Sequence, residues 1–146
     1  MNKLVVILLF SLSLFSAEFK DWDYTHTFSL KKDEVAKITV IKKEYEKQSK
    51  LDGKLFFSWT LYHNKLLVML VNYEGHPTQH VLQKLYKRDA VALNLMGDYE
   101  QHNQRVVLKI KFTDFAKGTA IIDAKIYDPK KRVEVEFIEP KKNRGK

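Results

Sequence analysis

The sequence predicts an all-β domain: an antiparallel up-and-down meander of about eight to nine strands, closed into a barrel or folded into a two-sheet sandwich. Three observations carry this. Apolar residues recur with period two, as side chains do when they alternate between the faces of a strand. Turn residues interrupt that pattern at short intervals. The loops between are roughly two to eight residues long, whereas a parallel crossover needs a dozen or more.

Taken in order, Trp22, Tyr24, His26, Phe28 and Leu30 alternate with Asp23, Thr25, Thr27 and Ser29 as a first strand. Lys31 to Glu34 is a polar turn. Ala36, Ile38 and Val40 alternate with Lys37 and Thr39 in a second strand reaching about Tyr45, and residues 46–53 form a polar loop ending in Asp52-Gly53. Lys54 to His63 is the third strand, with Phe57, Trp59 and Leu61 on one face and Phe56, Ser58, Thr60 and Tyr62 on the other. Asn64-Lys65 suits a two-residue hairpin loop, because Asn tolerates positive φ. Leu66 to Tyr73 is apolar on both faces, which predicts a central strand.

Glu74 to Pro77 turns the chain. Residues 78–86 and 90–96 supply a fifth and a sixth strand around Lys87-Arg88-Asp89. Residues 31–50 and 78–96 are also compatible with a helix; Val81, Leu82 and Leu85 fit helical spacing. A polar loop, 97–104, follows. Val106, Leu108, Ile110 and Phe112 then alternate with Val107, Lys109, Lys111 and Thr113. Ala116-Lys117-Gly118 turns into Ala120, Ile122, Ala124 and Ile126. Asp128-Pro129-Lys130-Lys131 suits a type I turn, with Pro at its second position, before Val133, Val135 and Phe137. A four-residue hairpin there would set Tyr127 opposite Arg132, Lys125 opposite Glu134 and Asp123 opposite Glu136. No long return connection of the Greek-key kind is visible, so sequential strands are expected to pair.

Residues 1–17 differ from the rest. Lys3 precedes an uncharged run, Leu4–Phe15, and Ser16-Ala17 precede the first acid. This is the layout of a secretory signal peptide, with cleavage expected near Ala17 although Phe15 is bulky for its position. Twelve residues span about 18 Å as a helix, short of a hydrocarbon core of ~30 Å. The expected organisation is a signal peptide (1–17), a single β-domain (18–140) and a basic, disordered tail (141–146), in a periplasmic or secreted protein. With the signal removed, no transmembrane segment is expected.

The chain has 26 Lys+Arg against 18 Asp+Glu, a net charge of +8, and no Cys. Absent cysteines exclude disulfides, thiolate metal sites and a cysteine nucleophile. Lys141, Lys142, Arg144 and Lys146 put four positive charges in the last six residues, and residues 18–140 carry only +3. A nucleic-acid groove needs clustered cations with stacking platforms. Here the body's bases sit among acids, so no nucleic-acid partner is expected. The tail can touch anionic surfaces by simple electrostatics. An outer-membrane barrel needs an outward apolar band, whereas charges such as Lys109, Asp123 and Glu134 alternate with the expected core.

Two candidate sites emerge. Trp22, Tyr24, Phe57, Trp59, Tyr62 and Tyr73 form an aromatic set that can line a cavity for a small apolar or amphipathic ligand, as small barrels can. Glu74, His76 and His80, with His63 across the hairpins, are metal-ligand types within reach of one another, though Pro77 blocks a regular helical pair. No other cofactor is expected. Trp22 with Arg132 also resembles the lipocalin and calycin pattern, in which a Trp at the barrel start packs under a late basic residue. That family's Gly-x-Trp signature would require Gly where this chain has Lys20, and the likeness rests on two residues and an architecture.

Five scattered glycines make no phosphate-binding loop or nucleophile elbow, and no His-Glu-x-x-His is present. The expected function is therefore non-catalytic: an exported β-domain binding a small apolar ligand. The alternative is an envelope protein–protein interaction module that uses an exposed strand or aromatic surface.

Overall fold

The computed structural model describes residues 21–43, 53–95 and 105–141. The expected signal peptide, most of the loop 46–53, the loop 97–103 with Gln104, and the tail beyond Lys141 lie outside the described residues. Among the described residues the strands are β1 (Tyr24–Lys31), β2 (Ala36–Lys42), β3 (Gly53–His63), β4 (Leu66–Tyr73), β5 (His76–Gln83), β6 (Ala90–Asn94), β7 (Val107–Ala116), β8 (Thr119–Tyr127) and β9 (Val133–Ile138). Among the described residues of the two segments that also fitted a helix, β2, β5 and β6 are strands, and Lys84–Tyr86 forms a 3-10 turn; residues 44–50 and Met96 lie outside the described residues.

The strands form two antiparallel sheets, one of four strands in the order β1-β8-β7-β6 and one of five in the order β5-β4-β3-β2-β9. They do not close into a barrel. The sandwich alternative holds and the calycin-like closure does not, because the outer strands β1 and β9, and likewise β5 and β6, belong to different sheets. Across the β1/β9 side the link is made by side chains instead: Tyr24 Oη donates to the Val133 carbonyl at 2.8 Å and His26 Nε2 meets Glu139 Oε1 at 2.6 Å.

Three connections do not join paired neighbours, which corrects the simple meander. The turn after β1 carries the chain from one sheet to the other: Asp33, at φ 64°, donates its N–H to Trp59 O of β3 at 2.9 Å. The 3-10 turn and Lys87, at φ 53°, carry β5 across to β6. Between β8 and β9 the fully buried Asp128 accepts the N–H of Arg132 at 2.9 Å and of Val133 at 3.0 Å. That carboxylate folds residues 128–132 into a loop rather than a hairpin. The expected register of β8 on β9 is therefore replaced. Lys125 pairs with Thr25 and Lys109, Asp123 with Thr27 and Lys111, Glu134 with Ile41, and Glu136 with Thr39. Three hairpins, β3–β4, β4–β5 and β7–β8, have two-residue loops with both residues at positive φ: Asn64-Lys65, Glu74-Gly75 and Lys117-Gly118. This is the loop geometry that matches strand twist.

The expected inward faces pack the core. Phe28, Leu30, Ile38, Val40, Phe57, Leu108, Ile110, Phe112 and Ile122 are buried between the sheets. Two bulges alter the pattern. The register of β3 shifts between Trp59 and Leu61, and that of β7 between Phe112 and Asp114. An extra residue flips every later side chain to the other face. Leu61, expected beside Trp59, is 55% exposed. Tyr62 and Phe115 turn inward and stack with ring centroids 3.7 Å apart.

Candidate functional site

The five-stranded sheet has an apolar outer face over β3, β4 and β5. Period two dictates which residues lie there: those alternating with Leu55, Phe57 and Trp59 on β3 and with Leu67, Met69 and Val71 on β4. The register sets them in rows. Leu61 faces Val68, which faces Val81; Ser58 faces Leu70, which faces Gln79; Phe56 faces Asn72, which faces Pro77.

Leu61 and Val81 are each 55% exposed and Leu70 is 40% exposed. Leu85 and Tyr86, in the 3-10 turn after β5, are also exposed. A groove of about 450 Å³ crosses the face, walled by Val35, Phe56, Leu70 and Pro77. No Asp or Glu faces outward on these strands. Lys37 and Lys54 border the face, and Lys37 Nζ lies 5.7 Å from the Phe56 ring centroid.

The aromatic set expected to line an interior cavity is distributed along the core. Phe57 and Trp59 are buried, and Trp59 Nε1 donates to the Leu30 carbonyl at 2.8 Å. Tyr73 Oη donates to the Leu95 carbonyl at 3.0 Å. Burial, and then the charge of Glu74, push the Tyr73 hydroxyl well above its ordinary pKa. Tyr24 is raised in the same direction, by burial first and the Asp128 charge second. Trp59, Tyr73 and Tyr24 thus place their polar tips on backbone carbonyls of the opposite sheet or its flank. Tyr62 packs against Phe112 and Phe115. Trp22 is half-buried at the start of β1.

Glu74, His76 and His80 lie along the β4–β5 hairpin without converging. Glu74 Oε1 is 3.7 Å from Lys42 Nζ, His80 Nε2 is 2.9 Å from Thr78 Oγ1, and His76 is exposed on the far side of the turn. His63 pairs with Leu66, at the opposite end of β4. Among the described residues no group of three His, Asp or Glu side chains is gathered that could hold a metal ion. No helix among them is long and apolar enough to cross a membrane.

The outer apolar face had a sequence signal: the third and fourth strands are apolar on both faces. Which face meets solvent depends on the Trp59/Leu61 bulge and on sheet order, and neither is written in a period-two pattern. No protein-family model, curated protein or solved structure matches the chain.

Proposed function

We propose that this chain is an exported, non-catalytic interaction module that holds a protein partner on the outer face of β3–β5. The observation that carries the reading is the outward apolar patch in which Leu61, Val68 and Val81 share one row across the sheet and Leu70 lies in the next. Patches of this kind mark interaction sites. The sheet's opposite face already packs the core, so the outward apolar residues contribute nothing to folding that a polar residue would not. Export rests on the Leu4–Phe15 run behind Lys3.

The occupant is a partner with an apolar centre and an acidic rim. The charges nearest this face, Lys37 and Lys54, are positive, whereas the acids on the same side of the sheet, Glu134 and Glu136, lie on β9 beyond β2. An open groove on a flat sheet also lacks the enclosure by which small-molecule sites bury most of their ligand.

Site-directed photo-crosslinking in the cell envelope tests the proposal. A photoreactive residue at Leu70 or Val81 should give one discrete protein adduct, and the Leu61→Glu substitution should abolish it. The same residue at Lys109, on the outer face of the other sheet and two strands away from β1, should give none. Adducts of equal yield at all three positions, or none at Leu70 and Val81, would overturn the reading.

A further inference from the structure

The sandwich has four outer strands, and three are defended against pairing. Edge strands are commonly blunted by shortness, proline or charge. β5 carries Pro77, β6 has five residues, and β9 has six with Glu134 and Glu136 between its apolar positions. β1 has eight residues, no Pro or Gly, and Thr25, Thr27 and Ser29 on its outward face.

The direction of its backbone groups follows from two hydrogen bonds and one hairpin. Lys31 N–H donates to Glu34 Oε2 at 2.8 Å and Lys31 O accepts Glu34 N–H at 3.1 Å, so both groups point away from β8. The Lys117-Gly118 hairpin closes on Ala116 and Thr119, which turns the Thr119 backbone groups toward β7 and those of Ala120 toward β1. Leu30 is opposite Ala120 and Phe28 opposite Ile122. Antiparallel alternation then aims the N–H and C=O of Thr27 and Ser29 outward, with Lys31, where no described strand pairs.

A cavity of about 810 Å³ lies along this stretch, between Thr27, Ser29 and Lys31 on one wall and Glu139 and Lys141 on the other. Its carboxylates are engaged: Glu34 by the Lys31 N–H and Glu139 by His26. Lys31 and Lys141 form no ion pair among the described residues. The groove thus combines an open ladder with two available cations.

We propose that the Thr27–Lys31 edge of β1 takes up an extended acidic segment of a partner protein as an added strand. Ladder hydrogen bonds to Thr27 and Ser29 supply affinity, as in β-strand addition generally. Lys31 and Lys141 select carboxylates. This surface is separate from the apolar face of β3–β5 and stands without it.

A fluorescein-labelled octapeptide of four Thr-Glu repeats is the probe, with four Thr-Lys repeats as control. The Thr-Glu peptide should bind saturably, at least about tenfold more tightly than the control. On saturation the Thr27 and Ser29 amides should exchange with deuterium more slowly, while the Phe28 amide, already bonded to β8, stays unchanged. Ser29→Pro should abolish binding. Lys31→Glu with Lys141→Glu leaves the ladder intact and should reverse the preference, which decides the matter even where the proline variant does not fold. Equal binding of the two peptides overturns the acidic specificity. No binding at millimolar peptide, or protection at β5 or β6 instead, overturns the strand addition.

Discussion

The indole N–H of Trp59 donates to the main-chain carbonyl of Leu30 at 2.8 Å, tying the five-stranded sheet to the four-stranded one through a buried hydrogen bond. Trp59→Phe keeps most of the ring and removes the donor. It should lower unfolding free energy by about 1–2 kcal/mol. Trp59→Ala adds a cavity beside Phe115 and should cost roughly 3–5 kcal/mol. Urea denaturation of the three proteins measures both differences.

Asp128 decides the topology at the C-terminal end. Its two oxygens accept the N–H groups of Arg132 and Val133 in a fully buried setting. Asp128→Ala leaves both donors unsatisfied and should destabilise by about 2–5 kcal/mol, whereas Asp128→Asn keeps one acceptor and should cost less. Hydrogen exchange should show the loss first at residues 128–133 and then in β9.

Acid should weaken the same corner. Asp23 is opposed by its partial burial. The Lys131 ammonium and the Asp128 N–H, 2.6 Å away, nonetheless hold its carboxyl below the ordinary value of 3.8. A folded pKa below the unfolded one gives stability that is full above 3.8 and lost as pH falls through the lower folded value. Lys131→Met should shrink that loss, seen as a flatter dependence of the urea midpoint on pH between about 2 and 5.

Alkali acts through the tyrosines. Tyr73 and Tyr24 have folded pKa values raised above 10.0, so the folded state holds their protons longer than the unfolded chain does. Their contribution is full below 10.0 and declines as pH rises beyond it. Tyr73→Phe should be less stable at neutral pH, through loss of the bond to Leu95, yet lose less stability between about pH 9 and 11. Thermal unfolding across that range separates the two effects.

The outer face should behave in the opposite way to the core. Leu70→Glu and Val81→Glu project outward from β4 and β5 and should change unfolding free energy by no more than about 0.5 kcal/mol. Leu67→Ala and Met69→Ala, on the inner face of β4, should each cost about 2–5 kcal/mol.

Strand positions were legible because period two survives in this chain. Phe28 and Leu30, Ile38 and Val40, and Leu108 to Phe112 all face the core as their alternation requires. What alternation does not encode is a break in itself. The bulge after Trp59 sends Leu61 outward and Tyr62 inward. Nor does it tell a hairpin from a crossing. Asp128-Pro129 reads as a turn in either case; in the structure the buried Asp128 carboxylate closes the loop that leads into β9, which pairs with β2. The doubly apolar β3 and β4 were visible in sequence as a second surface. Whether that surface lines a cavity or meets solvent follows from open sheets, a property of the whole topology. The metal-ligand types at 74–80 were close in sequence but spread along a hairpin: Glu74 lies in the turn, and four residues of extended strand set the His76 and His80 backbones roughly 13 Å apart.

The proposed function rests on the outer surfaces of this sandwich and not on an internal cavity. Native mass spectrometry of the protein purified from its own compartment tests it most directly. The spectrum should show a chain free of any lipid-sized companion, together with a second species carrying one additional protein mass that Leu70→Glu eliminates. A lipid-sized mass retained by both the native chain and Leu70→Glu, with no protein companion, would contradict it.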